Sequence, residues 1–200
     1  MRKILSLIWE IAKIVIIALL IVIPIRYFIF QPFFVRGQSM EPNFDNGDYL
    51  IIDEISYRFR PPQRGEVIVF KYPNDPSQRY IKRIIGLPGE TIEIEQGKVI
   101  IYSSSNEEGG TIGEEDKSSS LPFAAARVLE ESAYLFPSVF SLGDIRISLD
   151  GNEYFVLGDN RAVSADSRRW GPLPRENIIG RVLIRAWPFV ALAKIEAPAY

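Results

Sequence analysis

The fold is indicated first by one stretch, Arg79-Tyr80-Ile81-Lys82-Arg83-Ile84-Ile85-Gly86-Leu87-Pro88-Gly89-Glu90. Apolar and β-branched residues lead into a Pro-Gly turn, which is the pattern of a strand that ends at the turn. Strand alternation sends Lys82 to the same face as Tyr80 and Ile84. The commoner interpretation is a lysine on an edge strand that keeps its ammonium in water. The functional one is a desolvated lysine whose lowered pKa lets it act as a base.

Similar short runs occur on both sides of that stretch, separated by turns rich in Pro, Gly, Asn and Asp. We predict strands over residues 49–52, 66–70, 80–85, 91–94, 98–102, 144–148, 154–157 and 178–184. The predicted fold class is therefore mainly β, an antiparallel sheet or barrel-like domain with little helix.

The N-terminal segment is almost continuously apolar from residue 4 to 34, and residues 14–25 carry no charge. We interpret residues 1–30 as a membrane anchor with a single transmembrane helix, so a lipid bilayer is an expected partner. One alternative is a cleavable signal peptide, although no small-residue cleavage site follows. The other is a buried core helix. Basic residues flank both ends, so charge alone does not give the orientation.

The remaining residues, 31–200, have a length that suits one β-rich domain. Residues 103–120 are rich in Ser, Gly and acidic residues, which predicts a flexible, solvated loop. We place this loop within a smaller cap region of about residues 97–152. The net charge of −2 and the pI near 5.4 give no general basic field, so nucleic acid is not an expected partner.

Composition also limits the chemistry, because the chain contains neither histidine nor cysteine. These absences exclude a cysteine nucleophile, a Ser-His-Asp triad, an HExxH metal site and a Cys-type zinc site. We expect neither a metal nor a cofactor. The base of a hydrolase would have to be Lys, Asp or Glu.

A candidate nucleophile lies just after the apolar segment, in Arg36-Gly37-Gln38-Ser39-Met40-Glu41-Pro42. A serine hydroxyl becomes a good nucleophile when a neighbouring base takes its proton. The glycine would permit a tight backbone turn whose N–H groups could bind an oxyanion. Most serines near glycine simply form turns, so this segment alone leaves both interpretations open.

A third segment, residues 157–172, concentrates Asp, Asn, Ser and Arg after a predicted strand. It fits an exposed loop, a buried polar network or a calcium loop, although the interleaved arginines argue against a bound cation. In a buried network the charges must be paired. Asp159 would then pair with Arg83, and Asp166 with Arg168.

Taken in order behind the apolar N-terminus, these segments resemble the conserved boxes of bacterial type I signal peptidases. The matching residues are Phe-Gln-Pro-Phe at 30–33, Gly-Gln-Ser-Met-Glu-Pro at 37–42, Tyr-Ile-Lys-Arg-Ile-Ile-Gly-Leu-Pro-Gly-Glu at 80–90, Gly-Asp-Asn-Arg at 158–161 and Ser-Ala-Asp-Ser-Arg at 164–168. The resemblance implies a serine endopeptidase that removes signal peptides from exported preproteins, after small residues at −3 and −1. It also implies a bacterial cytoplasmic membrane location, with the catalytic domain on the extracytoplasmic side.

Carried over by position, the resemblance implies that Ser39 is the nucleophile and that its backbone N–H belongs to the oxyanion hole. Lys82 would be the general base, and Ser164 would orient it. The supporting polar network would comprise Asp159, Arg83, Asp166 and Arg168. The substrate cleft would be lined by Val35, Met40, Tyr80 and Ile81.

One departure concerns Gly37, which stands where many members carry a serine whose hydroxyl helps form the oxyanion hole. Two other functions remain as alternatives. A self-cleaving peptidase of the repressor type would share the Ser-Lys chemistry, but those proteins begin with a DNA-binding helical domain. A catalytically inactive, membrane-tethered β domain would bind partners through the same cleft, but it would be expected to lose Ser39 or Lys82.

Overall fold

The structure, a computed structural model, describes residues 2–28, 30–103 and 124–198. Its helices and strands are α1 Arg2–Phe28, β1 Phe30–Phe34, β2 Tyr49–Asp53, β3 Val67–Tyr72, β4 Asp75–Gly86, β5 Thr91–Glu95, β6 Lys98–Ser103, β7 Ala124–Val128, β8 Ile145–Ser148, β9 Glu153–Leu157, α2 Ser167–Trp170, β10 Leu173–Pro174, β11 Ile178–Trp187 and β12 Ala193–Lys194. Short 3-10 helices lie at Ser56–Arg58, Arg175–Asn177 and Phe189–Ala191. The mainly β prediction is confirmed.

The strands form two antiparallel sheets. The larger one has the order β1-β2-β11-β3-β4-β9-β10, with β12 added to β11, and the smaller one has the order β7-β6-β5-β8. Within the described residues, the end strands β1 and β10 pair only with β2 and β9, respectively. The barrel-like part of the prediction is therefore wrong, because closure requires the two end strands to pair with each other.

Each of the eight predicted strands overlaps an observed one. The prediction missed β1, β7, β10 and β12. The apolar residues of β1 continue the run of α1 without a turn signal, so no change of period marks the boundary. The strands β10 and β12 have two residues each, which is too short for alternation to be visible.

Buried apolar residues hold β4 and β9 between neighbouring layers. Ile81 of β4 packs with Val35 and Met40 in one core cluster. Phe155 and Leu157 of β9 pack with the apolar residues of the smaller sheet in another. Each fully buried side chain of this size contributes about 1.5–3 kcal/mol through the hydrophobic effect. The two strands that lead to the candidate site are thus held firmly in place.

The N-terminal segment forms the 27-residue helix α1, which carries large exposed apolar side chains such as Ile14 and Leu20. Glu10 and Lys13 form an ion pair of 3.3 Å on it and interrupt its apolar run. In the described part of the chain, no helix is both long and apolar enough to cross a membrane. The helix is therefore present, but the prediction that it spans a membrane is not supported.

The predicted acidic loop falls almost entirely outside the described residues, because its positions 104–120 are not among them. The smaller sheet is built from strands between residues 91 and 148, which overlap the stretch predicted as a cap region. The division into an anchor, a β-rich domain and a cap region stays a prediction.

Candidate active site

Ser39 lies in the turn between β1 and β2. Gly37 precedes it with a φ of +90°, a left-handed conformation that glycine adopts at little cost. The Gly37 N–H donates to Asn46 Oδ1 at 2.9 Å, and the Val35 N–H donates to the Asp48 carbonyl oxygen at 2.9 Å. These hydrogen bonds hold the turn so that Ser39 stays partly buried.

Lys82 lies on β4, opposite Ile68 of β3, and its side chain points into the protein. The residue is only 4% exposed. Its Nζ lies 2.8 Å from Ser39 Oγ and 2.7 Å from the carbonyl oxygen of Ile81. The amine and the hydroxyl are therefore within direct proton-transfer distance.

The surroundings of Lys82 favour its neutral amine over the charged ammonium more strongly than water does. Burial lowers the pKa of Lys82 to about 8, because the charged ammonium loses its hydration. Asp166 and Asp159 act in the opposite direction, since their negative charges stabilise the ammonium. A substantial fraction of Lys82 is thus neutral at mildly alkaline pH and can accept a proton.

The loop after β9 packs against the backbone of Ser39. The Asn160 N–H donates to the Ser39 carbonyl oxygen at 3.1 Å. A Cβ atom added at Gly158 would stand 2.2 Å from Ser164 Oγ and 2.4 Å from that same Ser39 oxygen, so only glycine fits there. Ser164 is 2% exposed, and among the described residues its hydroxyl makes no hydrogen bond of ordinary geometry.

Asp166 anchors the far end of this loop. It accepts the Gly158 N–H at 3.1 Å and binds Arg168 through two hydrogen bonds of 2.8 and 2.9 Å. Burial acts to raise the pKa of Asp166, but Arg168, the Gly158 N–H and the nearby Ser164 hydroxyl together lower it. The carboxylate is therefore held in its ionised form.

A second ion pair joins β4 to the same loop. Arg83 binds Asp159 through two hydrogen bonds of 2.8 and 2.6 Å and donates to the Gly65 carbonyl oxygen at 2.9 Å. Its guanidinium also lies 4.2 Å from the centroid of the Tyr134 ring. Asn43 adds a hydrogen bond of 2.8 Å to the Asp159 carboxylate. Both ion pairs that were predicted for a buried network are therefore present.

A cleft of about 610 Å³ opens beside Ser39 and Lys82. Tyr80 and Ile81 line it, as do residues on either side of Val35. Val35 and Met40 are themselves almost fully buried in the hydrophobic core. Of the four residues predicted for the cleft, Tyr80 and Ile81 therefore face it, whereas Val35 and Met40 support it from the hydrophobic core.

Comparison with known proteins identifies the family. The model of the family described as "Signal peptidase, peptidase S26" matches residues 8–187, which include every segment of the site. The chain belongs to this family. It is 35% identical over 185 residues to the probable signal peptidase I-2 of Synechocystis, covering 90% of this chain and 73% of that one.

Two further members of the signal peptidase family are similar. The signal peptidase I of Leptolyngbya laminosa is 34% identical over 190 residues, which cover 91% of this chain and 81% of the relative. A crystal structure of a signal peptidase I from Enterococcus faecalis has 28% identity and a TM-score of 0.40, and the match covers 61% of this chain and 97% of that chain. The predicted resemblance is confirmed, and so is the prediction of a serine endopeptidase, since that is the activity of the peptidase S26 family.

The structure of this signal peptidase family member adds residues that sequence reasoning did not single out. Asn43 and Tyr134 complete the surroundings of Asp159, and Asn46 fixes the turn before Ser39. Asn43 and Tyr134 carry no local signal, because each acts on a group that is distant in the sequence. Asn46 belongs to an Asn-Gly turn signal, which predicts the turn but not the contact with Gly37. Gly158 is different, because the sequence alone shows a glycine at the end of a predicted strand, and such a glycine often marks a close approach of two backbones.

Proposed function

We propose that this chain removes N-terminal signal peptides from exported preproteins, with Ser39 as the nucleophile and Lys82 as the general base. The observation that carries the proposal is the distance of 2.8 Å between Lys82 Nζ and Ser39 Oγ, in surroundings that lower the pKa of the amine. The relatives named signal peptidase I support the substrate class.

Acylation begins when the neutral Lys82 amine takes the Ser39 proton as Oγ attacks the carbonyl carbon of the scissile bond. The tetrahedral intermediate collapses, and its C–N bond breaks. The Lys82 ammonium gives its proton to the leaving amine, which becomes the new N-terminus of the mature protein. The signal peptide remains bound to Ser39 as an ester.

Deacylation uses the same two groups. Lys82 takes a proton from a water molecule that attacks the ester carbonyl. The ester bond breaks, and the Ser39 oxygen recovers a proton from the ammonium. The products are the signal peptide with a free carboxylate and a regenerated dyad.

The oxyanion of each intermediate binds to the backbone N–H of Ser39. In support, this N–H donates to no other group within the described residues. The Gly37 N–H is less suitable, because Asn46 already accepts its hydrogen bond. A preorganised donor of this kind typically contributes about 10²–10³ in rate.

Ser164 orients the side chain of Lys82. Its hydroxyl is buried and lacks a hydrogen bond of ordinary geometry among the described residues, although it lies close enough to Asp166 to lower the pKa of that carboxyl. A buried hydroxyl without a partner is costly, so an interaction with the amine would satisfy it. Asp166 and Arg168, together with Asp159 and Arg83, hold the loop that carries it.

The substrate binds as an extended strand between β1 and β4. β3 pairs with β4 over residues 79–83, whereas the pairing with β9 begins only at Arg83. The other edge of Arg79, Tyr80 and Ile81 is thus open to strand addition. We expect the preference for small residues at −3 and −1 to be steric, because apolar side chains of the cleft leave room only for short ones.

The chain is attached to a lipid bilayer through α1, with its catalytic domain on the extracytoplasmic side of a bacterial cytoplasmic membrane. Support comes from the large apolar side chains that α1 exposes, including Ile14 and Leu20 at 67% and 69%. Exposed apolar surface of this extent is typical of membrane or protein contacts. Flotation with phospholipid vesicles tests the attachment, and digestion by protease added outside spheroplasts tests the side.

The decisive experiment measures cleavage of a preprotein with an Ala-x-Ala site by detergent-solubilised protein. Ser39→Ala and Lys82→Ala should each abolish cleavage while the fold, measured by circular dichroism, is retained. The controls Ser132→Ala and Lys98→Ala change exposed residues of the same types and should cleave normally. Cleavage by either dyad variant would refute the proposed dyad, and binding without cleavage by the unchanged protein would support an inactive binding domain.

A further inference from the structure

The charged residues of the cleft all have the same sign. Arg36, Arg79 and Lys82 line it, and no acidic residue among those that the structure describes does. Arg36 stands three residues before Ser39 on one wall, and Arg79 stands three residues before Lys82 on the other. An extended chain rises about 3.3 Å per residue, so Arg79 begins about 10 Å along β4 from Lys82. Arg36, by contrast, is joined to Ser39 through the turn at Gly37.

Neither arginine has a charged partner within ion-pair distance in the described part of the chain. Both Arg36 and Arg79 are exposed, and neither takes part in an ion pair or a side-chain hydrogen bond there. Arg83, by contrast, is buried and bound to Asp159. The two guanidinium groups of the cleft therefore remain available to a ligand.

The neighbouring strands strengthen this positive character more than they cancel it. Lys71 lies directly opposite Arg79 in the register of β3 and β4, and it is exposed as well. Glu54 interacts electrostatically with Arg79 but forms no ion pair with it among the described residues. A substrate carboxylate in the cleft would thus meet Arg36 and Arg79, with Lys71 next to Arg79 on β3.

We propose that Arg36 and Arg79 make this chain selective for preproteins that carry an acidic side chain at −2 or −4. The inference rests on the proposed function, because it assumes that the residues before the scissile bond occupy this cleft. In an extended substrate, side chains at −1 and −3 point to one face and those at −2 and −4 to the other. Small residues fill the pockets, and the alternate positions face the exposed arginines.

A carboxylate of the substrate fits these positions better than the phosphate of a lipid. The arginines come from two separate segments, and both line the cleft that contains the dyad. A lipid headgroup held between them would occupy the space that the substrate strand needs. Guanidinium groups bind carboxylates with two parallel hydrogen bonds, which suits a side chain presented along a strand.

The test uses peptides with an Ala-x-Ala site that differ only in Glu or Gln at −2, and a second pair at −4. Cleavage is measured in uncharged detergent at low salt. For at least one pair we expect kcat/KM to be about 1.5-fold to fivefold higher with Glu, which is the range for exposed charge pairs. This ratio should fall toward one as salt is raised.

Matched variants assign the effect to the two residues. The double variant Arg36→Gln/Arg79→Gln should bring the Glu-to-Gln ratio close to one. Arg127→Gln removes an exposed arginine of the smaller sheet and should leave the ratio as in the unchanged protein.

Equal rates for Glu and Gln at both positions would overturn the inference, and so would a preference that persists in the double variant. A rate increase that requires anionic vesicles instead of a substrate carboxylate would assign the arginines to lipid and also overturn it. Failure of the unchanged protein to cleave any Gln peptide would instead contradict the proposed function.

Discussion

Among the lysines whose side chains are described, Lys82 alone is buried, while Lys13, Lys71, Lys98 and Lys194 are exposed. Its ammonium would be stable in water, but here it is surrounded by apolar residues and by the backbone of its own strand. Desolvation favours the neutral amine, and two nearby carboxylates limit that shift. A pKa of about 8 suits the proposed role of Lys82, which requires it to accept a proton from Ser39 and to return one to the leaving group.

The pH dependence of cleavage should report this lysine. Because the neutral amine is the reactive form and the pKa of Lys82 is about 8, kcat/KM should rise about tenfold per pH unit below that value and level off above it. The profile is measured on a peptide without ionisable groups near the cleavage site. A plateau that is already reached at pH 6, with the protein folded throughout, would exclude Lys82 as the base.

Gly158 provides a second test that changes a single residue near Ser39. Gly158→Ala places a methyl group 2.2 Å from Ser164 Oγ and 2.4 Å from the Ser39 carbonyl oxygen. We expect kcat/KM to fall about 100-fold or more, since a displacement of about 1 Å in an active site has effects of this size. Gly151→Ala is the control, because its Cβ would meet nothing within 4 Å. Similar activities of the two variants would contradict the tight packing of Gly158 against the nucleophile.

At the scale of elements, β4 has two functions along its length. Residues 75–80 are exposed or half-buried, and Arg79 and Tyr80 line the cleft, whereas residues 81–86 are buried and pairing with β9 begins at Arg83. The transition falls at Ile81 and Lys82. Lys82, the proposed base, consequently lies where β4 becomes buried, next to the edge proposed to bind a substrate strand.

The Arg83–Asp159 ion pair connects β4 to the loop after β9, and its removal should destabilise the protein. Arg83→Met leaves a fully buried carboxylate without its main partner, so the free energy of unfolding should fall by about 3–5 kcal/mol. Urea unfolding followed by tryptophan fluorescence measures the change.

The control for this substitution is Arg146→Met in the smaller sheet. Arg146 and Glu93 form a longer ion pair of 3.8 Å, in which the two side chains are 48% and 20% exposed. Loss of this ion pair should lower the free energy of unfolding by less than about 1 kcal/mol. If both variants lost the same free energy of unfolding, burial would not determine how much each ion pair contributes to stability.

For the molecule as a whole, attachment through α1 would bring enzyme and membrane-bound preprotein into one surface. Confinement raises the effective concentration without adding contacts. The variant Ile14→Asp/Leu20→Asp should therefore cleave a soluble peptide normally but process a vesicle-bound preprotein about tenfold or more slowly. Both rates are measured on the same preparations.

The control is the double variant Phe59→Asp/Val128→Asp, which changes two exposed apolar residues outside α1. This variant should retain both activities. An equal loss on the vesicle-bound preprotein in the two double variants would show that α1 has no particular role in attachment.

The sequence by itself determined the mainly β fold class, the positions of most strands along the chain and the candidate chemistry. Alternation and turn residues are local signals, so they predicted β2 to β6, β8, β9 and β11. The lack of histidine and cysteine excluded the commoner bases and nucleophiles. The ordered motifs around Ser39, Lys82 and Ser164 then indicated the family that the comparisons confirm.

Only the tertiary structure decided whether these residues meet. Ser39 and Lys82 are 43 positions apart, and their contact depends on how β1, β3 and β4 are arranged. The pKa of Lys82 depends on desolvation and on carboxylates from a distant loop, and both are properties of packing. The same holds for the open larger sheet, for Val35 and Met40 lying in the core, and for the two cleft arginines that form no ion pair with any described residue. Local sequence sets what each residue can do, but distance and burial arise only when separate segments fold together.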